Sequence, residues 1–158
     1  MDKKNRNLGA LICSSSGGVF RAESIKKLII NLEKMEYDFL EICMEDLYEV
    51  NEEPLFGYFR GKYTKEEIKD VIDFAKLHHI EIIPSIQTLA HFTHLVKFPT
   101  YQDIVDIDDI LLIGEEKTYQ LIDKMFKSIR EYFDTDKINI GFDEAYMVGL
   151  GRYLRANG

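Results

Sequence analysis

Asp143 and Glu144 stand side by side at the end of the apolar run Ile138-Asn139-Ile140-Gly141-Phe142. A buried strand that releases two adjacent carboxylates at its tip is costly unless a ligand uses them, because each charge is drawn away from water. Two such groups can divide the work of general acid and of base or nucleophile. Other apolar runs also end in polar tips. These read Cys13-Ser14-Ser15, Met44-Glu45-Asp46, and Ser85-Ile86-Gln87 with His91 close behind. Taken singly, each has an ordinary reading. Asp-Glu suits a helix N-terminus, Asp46 suits a loop that caps its own backbone, and His91 suits a satisfied structural histidine. The ordered recurrence of all four tips favours one shared rim.

The elements that must position them alternate four times. Apolar runs at 8–13, 38–44, 80–86 and 137–142 read as strands. Between them, Ile25, Leu28, Ile29 and Leu32 recur at helical spacing, as do Ile68, Val71, Ile72 and Ala75. Leu121, Ile122, Met125, Phe126 and Ile129 mark a third helix over 115–132. Thr64 with Glu67 forms a capping box at the start of the second helix. Pro84 has no ladder donor and is expected near the end of its strand. The connection 87–114 is expected to hold short helical pieces. Strands joined by helical crossovers pair in parallel. That leaves an open doubly wound sheet or a (β/α)8 barrel, and in both the function gathers at the C-terminal strand ends. Gly149-Leu150-Gly151 follows the wrong strand for a dinucleotide fingerprint, and Ser14-Ser15-Ser16-Gly17-Gly18 lacks the ending of a P-loop.

The chain has 158 residues, 46% of them hydrophobic and 30% charged, which suits one domain with a real core. A net charge of −8 argues against nucleic-acid or anionic-membrane partners. Cys13 and Cys43 could form one bridge but suggest neither a disulfide framework nor a zinc site; small buried thiols are expected there, and neither metal nor cofactor is expected. The apolar stretch 8–13 is shorter than a signal sequence requires, and no run reaches a membrane span, so a cytoplasmic location is expected. His78 and His79 fall at a helix end away from the rim, and His94 lies in the long connection.

From Asp46 onward the chain resembles the catalytic domain of glycoside hydrolase family 20, the β-N-acetylhexosaminidases. Phe56-Gly57-Tyr58-Phe59-Arg60-Gly61-Lys62-Tyr63-Thr64-Lys65-Glu66-Glu67-Ile68 resembles the family's glycine-rich loop and helix start. Ile82-Ile83-Pro84-Ser85-Ile86-Gln87-Thr88-Leu89-Ala90-His91 is similar to its third strand, and Ile140-Gly141-Phe142-Asp143-Glu144 to its catalytic strand. Gln87-Thr88-Leu89-Ala90-His91 and Gly149-Leu150-Gly151-Arg152-Tyr153 look like a bacterial intracellular branch. The resemblance implies a barrel enzyme that releases terminal N-acetylhexosamines, GlcNAc or GalNAc. The substrate's own acetamido group replaces the enzymic nucleophile, and the configuration is retained. Glu144 would then be the acid and Asp143 the group that orients the acetamido. Asp46 and His91 would form a supporting relay, with Gln87 and Arg60 binding substrate.

Two departures accompany it. The first strand ends in Cys13-Ser14-Ser15 where the family places a sugar-gripping arginine, and Arg21 comes several residues late. Four βα units are half of the eight that close a barrel. Residues 8–158 are therefore expected to be the N-terminal half behind a polar tail, 1–7. Such a half is either a fragment of a longer enzyme or a partner for another chain or a second copy. A non-catalytic amino-sugar binder and an unrelated complete α/β binding domain are the other readings of the sequence.

Overall fold

The computed structural model describes residues 7–14, 18–58 and 60–158. Strands β1 (Gly9–Cys13), β2 (Phe39–Cys43) and β3 (Glu81–Ser85) form a parallel sheet in the order β1-β2-β3. The register runs from Gly9 beside Phe39 beside Glu81 to Cys13 beside Cys43 beside Ser85. Helices α1 (Ala22–Lys34), α2 (Lys65–Leu77) and α3 (Glu116–Tyr132) follow the three strands, and a short α4 (Arg152–Asn157) lies near the C-terminus. The tail 1–6 and Ser15, Ser16 and Gly17 of the first polar loop lie outside the described residues.

The helices form where the periodicity places them. Ile25, Ile29 and Leu32 of α1 are buried, as are Ile68, Val71, Ile72 and Ala75 of α2 and Leu121, Met125 and Ile129 of α3. Burying each of the larger of these side chains contributes about 1.5–3 kcal/mol. Thr64 accepts from the Glu67 amide while Glu67 accepts from the Thr64 amide, which completes the capping box. Arg21 takes the N-cap position of α1.

The sheet has two unlike faces, because successive strand side chains point to opposite sides. Leu40, Ile42 and Ile82 are buried in one cluster with the helical residues. The other face carries Leu11, Glu41 and Ile83 in one row and Cys13, Cys43 and Ser85 in the next. Leu11 is 57% exposed there.

Two expectations change. The strand at 137–142 is reduced to one parallel bridge, Ser85 with Asn139. Asn139 donates to the Pro84 carbonyl at 3.0 Å, and Ile86 donates to Asn139 at 2.9 Å. Pairing then loosens because Gly141, at φ +54°, leaves the extended conformation. The connection 87–114 holds two 3-10 turns, Leu95–Lys97 and Pro99–Ile104, but also an unforeseen antiparallel hairpin, β4 (Val105–Ile107) with β5 (Ile110–Leu111). The whole is an α/β fold, a partial (β/α)8 barrel.

Candidate active site

The β3 tip and the 139–144 segment are strapped together by short bonds. Thr88 Oγ1 donates to the Ile140 carbonyl at 2.8 Å, beside the Ile86 amide bond to Asn139. This places Gln87 against the paired carboxylates. Its Nε2 donates to Asp143 Oδ1 at 3.0 Å. His91 Nε2 stands 3.5 Å from Asp143 Oδ2 and 3.8 Å from Glu144 Oε2, long for a hydrogen bond but near enough to be felt as charge. The Gln87 donation, above all, holds the Asp143 carboxyl below its ordinary value, with His91 adding to it and burial opposing. Both carboxylate side chains are about 60% exposed, at 62% and 60%.

Gly141 makes that arrangement possible. A Cβ there would lie 2.2 Å from Gln87 Oε1 and 2.6 Å from the Ile86 carbonyl oxygen. Its left-handed φ also suits glycine alone at little cost. Gly141→Ala is expected to destabilise the fold by about 2 kcal/mol or more through strain and displacement. It should also return the Asp143 titration toward the ordinary carboxylate range. Denaturant unfolding and a carboxyl-carbon NMR titration check both effects, and a wild-type Asp143 titration in the variant would refute the Gln87 assignment.

The β2 tip is built separately. Gly57, at φ +65°, lets the loop after it close over this tip, where a Cβ would meet the Asp46 carbonyl oxygen at 2.2 Å. Arg60 Nη1 thereby reaches Glu45 Oε2 at 3.4 Å and Asp46 Oδ1 at 3.5 Å, and all three side chains are largely buried. Burial raises the Asp46 carboxyl, with Arg60 and then His94 opposing. A raised carboxylate pKa means that the folded state holds the proton more tightly than the unfolded chain does. Asp46 therefore costs stability as pH rises through the window above its ordinary value. Asp46→Asn is expected to raise the melting temperature at pH 7 and leave it nearly unchanged at pH 3. A lower melting temperature at pH 7 would contradict this.

The structure brings Gln87, His91, Asp143 and Glu144 together. It joins Asp46 to Arg60 and not to His91. Gln87 and Arg60, expected on substrate, spend donors on Asp143 and on the Glu45–Asp46 pair. Asp46 Oδ1, Gln87 Oε1 and His91 Nε2 are buried without hydrogen-bond partners, as is the Tyr48 hydroxyl. Buried polar atoms of this kind call for an ordered water, a ligand or a strained site. Strain is present too: Glu45, His91 and Glu144 all sit at positive φ, 49°, 65° and 56°, where a side chain costs roughly 1 kcal/mol or more. The aromatic side chains after β2 divide. Tyr48 and Phe56 are buried edge-to-face at 5.3 Å, whereas Tyr58 is 62% exposed and Phe59 lies outside the described residues.

Several supporting residues gave little signal in sequence. Ser14 Oγ and Tyr63 Oη share a buried hydrogen bond of 3.1 Å that ties the β1 tip to the loop before α2. Asp106, 4% exposed, accepts from the Gly149 amide at 2.9 Å and from the Tyr153 amide at 2.7 Å. Arg152 donates to the carbonyls of Gln102, Asp103 and Val105. The β4–β5 hairpin thus anchors the chain just beyond the carboxylate pair. An aspartate before an apolar strand residue offers only a charge; the hairpin that buries it supplies the role.

Fold and site together define a partial (β/α)8 barrel with an acidic pair at a strand tip, where barrel enzymes place their chemistry. Residues 31–150 match the catalytic domain of glycosyl hydrolase family 20, and the chain belongs to that family. It is 27% identical over 97 residues to hexosaminidase D of Homo sapiens, a match covering 59% of this chain and 20% of that protein. The GH20 exo-β-N-acetylglucosaminidase of Vibrio harveyi, solved with N-acetylglucosamine, superposes with a TM-score of 0.82 at 22% identity, covering 92% of this chain and 29% of that one. The chitobiase of Flavobacterium johnsoniae gives 0.80 at 20% identity, covering 96% and 25%. These structures share the barrel fold. The chain spans between a fifth and a third of the length of these relatives.

Proposed function

We propose that this chain carries the acid–base half of a β-N-acetylhexosaminidase site that releases terminal N-acetylhexosamines by substrate-assisted retention. The observation that carries this reading is the unequal treatment of two adjacent carboxylates. Asp143 is held by Gln87 and favoured as an anion, whereas Glu144 projects beside it, 3.8 Å from His91. An anion fixed in place suits the positive charge that develops on the acetamido group, and the neighbouring carboxylate, which Gln87 does not hold, suits proton exchange with the glycosidic oxygen.

In the proposed reaction the acetamido carbonyl oxygen attacks the anomeric carbon. The glycosidic bond breaks as Glu144 gives its proton to the departing oxygen, leaving an oxazolinium ion whose charge Asp143 offsets. Glu144 then takes a proton from water, which attacks the same carbon and reopens the ring with retained configuration. His91 and Gln87 position the carboxylates, and Asp46 with Arg60 fixes the neighbouring rim. Residues 8–158 are read as the N-terminal half of the barrel in a cytoplasmic enzyme. The half is completed by further βα units of a longer protein or by self-association, a reading supported by the exposed inner-face Leu11 and by family membership. Among the described residues no helix is long and apolar enough to cross a membrane.

The test compares nitrophenyl N-acetyl-β-glucosaminide with nitrophenyl β-glucoside on the completed barrel. Hydrolysis is expected only where the 2-acetamido group is present. Equal turnover of both would remove the substrate-assisted mechanism, and binding of N-acetylglucosamine with no turnover of either would favour a non-catalytic amino-sugar protein.

A further inference from the structure

On the sheet face that carries Leu11, Cys13 and Cys43 are register partners on neighbouring parallel strands. Neighbouring strands run about 4.8 Å apart, and disulfides span Cα separations of about 4.4–6.8 Å. Each thiol is half-buried, and the two are not joined in this structure. They share a row with Ser85, whose side chain also reaches Cys43. Burial, with Cys13 beside it, pushes the Cys43 thiol up to about 12. A pair so placed is a site of its own, one residue below Ser14 and the Met44-Glu45-Asp46 tip.

We propose that Cys13 and Cys43 form a cross-strand dithiol that closes to a disulfide by exchange with a small-molecule disulfide such as oxidised glutathione. The Cys13 thiol, as thiolate, attacks one sulfur of the glutathione disulfide. A mixed disulfide forms and one glutathione leaves, taking up the proton. Cys43 then loses its proton and attacks Cys13 Sγ, expelling the second glutathione. Two protein thiols are oxidised and one disulfide becomes two thiols, so atoms and electrons balance. The high pKa of Cys43 assigns it the second, intramolecular step, where proximity offsets its small thiolate fraction. Closure would tie the β1 tip to the β2 tip. The Ser14 amide already donates to the Cys43 carbonyl at 3.1 Å, so the bond would lock a contact in place and hold Asp46 against its loop.

The proposal does not rest on the sugar-hydrolase reading, and its test needs no substrate. The full chain is incubated natively with oxidised glutathione, quenched with acid and digested with trypsin. The expected product is peptide 7–21 cross-linked to peptide 35–60, with no glutathione retained. C43S should instead hold one glutathione on Cys13, and reversing the wild-type bond should take at least about tenfold more reduced glutathione than removing that adduct. Stable glutathione on the wild-type chain, a covalent dimer, or thiols that react only in urea would each overturn it.

Discussion

Glu144→Gln is expected to lower kcat toward aryl N-acetylglucosaminides by about 10²–10⁴-fold, the range a positioned general acid supplies. Glutamine keeps the volume of the side chain and its approach to His91 but has no proton to give. KM should change little, because the lost interaction belongs to the transition state. The loss should also be smaller for substrates with strongly activated leaving groups, which need less protonation, and larger for natural glycosides. Asp143→Asn should behave differently. Gln87 Nε2 would face an amide where it now donates to a carboxylate at 3.0 Å, so the rate should fall for activated and natural substrates alike. If Glu144→Gln retains wild-type turnover on a natural glycoside, Glu144 is not the acid.

Arg60→Ala carries the largest expected loss of stability. Its guanidinium sits between Glu45 and Asp46 in a setting where the three side chains are only 13%, 18% and 8% exposed. Removing it leaves two neighbouring buried carboxylates that repel each other, and also the packing of its aliphatic stem. Breaking a buried ion group from one side costs about 3–5 kcal/mol, which for a chain of this size lowers the melting temperature by roughly 6–20 °C. Asp46→Asn in the same chain should recover part of that loss at neutral pH, since it removes one of the stranded charges. The pair of variants separates electrostatics from packing. A loss within about 0.5 kcal/mol would mean that the group behaves as a solvated surface pair.

Much of the architecture was legible in local pattern. Ile25 with Ile29 and Leu32, and Ile68 with Val71, Ile72 and Ala75, share faces at 3.6-residue spacing, and burial follows those faces. Thr64 and Glu67 announce their helix through chemistry confined to four residues. The strand at 137–142 looked equally good in composition, yet it forms one bridge. Its hydrophobic residues could not reveal that Gly141 would turn at φ +54° to let Gln87 pass beneath. The β4–β5 hairpin was hidden for a related reason. Its turn runs through Asp108 at φ 49°, and the strand pattern spans only a few residues.

The candidate site shows the same division. Asp143, Glu144, Gln87 and His91 were visible because they follow consecutive strand tips, and parallel topology brings such tips to one rim. Their partners were less visible. The alliance of Arg60 with Glu45 and Asp46 depends on a loop folding back over β2. Positive φ at Glu45, His91 and Glu144 has no counterpart in residue type, since none is glycine or asparagine. Asp106 and Arg152 act through backbone groups of distant segments, which side-chain identity does not encode. Local rules thus find which residues meet, and long-range closure decides what each one holds.

The central claim is that Asp143 and Glu144 serve a double-displacement reaction in which the substrate's acetamido group is the nucleophile. The most direct measurement is proton NMR of the anomeric signals in the first moments of hydrolysis of a β-linked N-acetylglucosaminide by the completed barrel. Two inversions at one carbon predict that β-N-acetylglucosamine appears first and the α-anomer grows in later by mutarotation. First appearance of the α-anomer would mean a single displacement by water and would contradict the account.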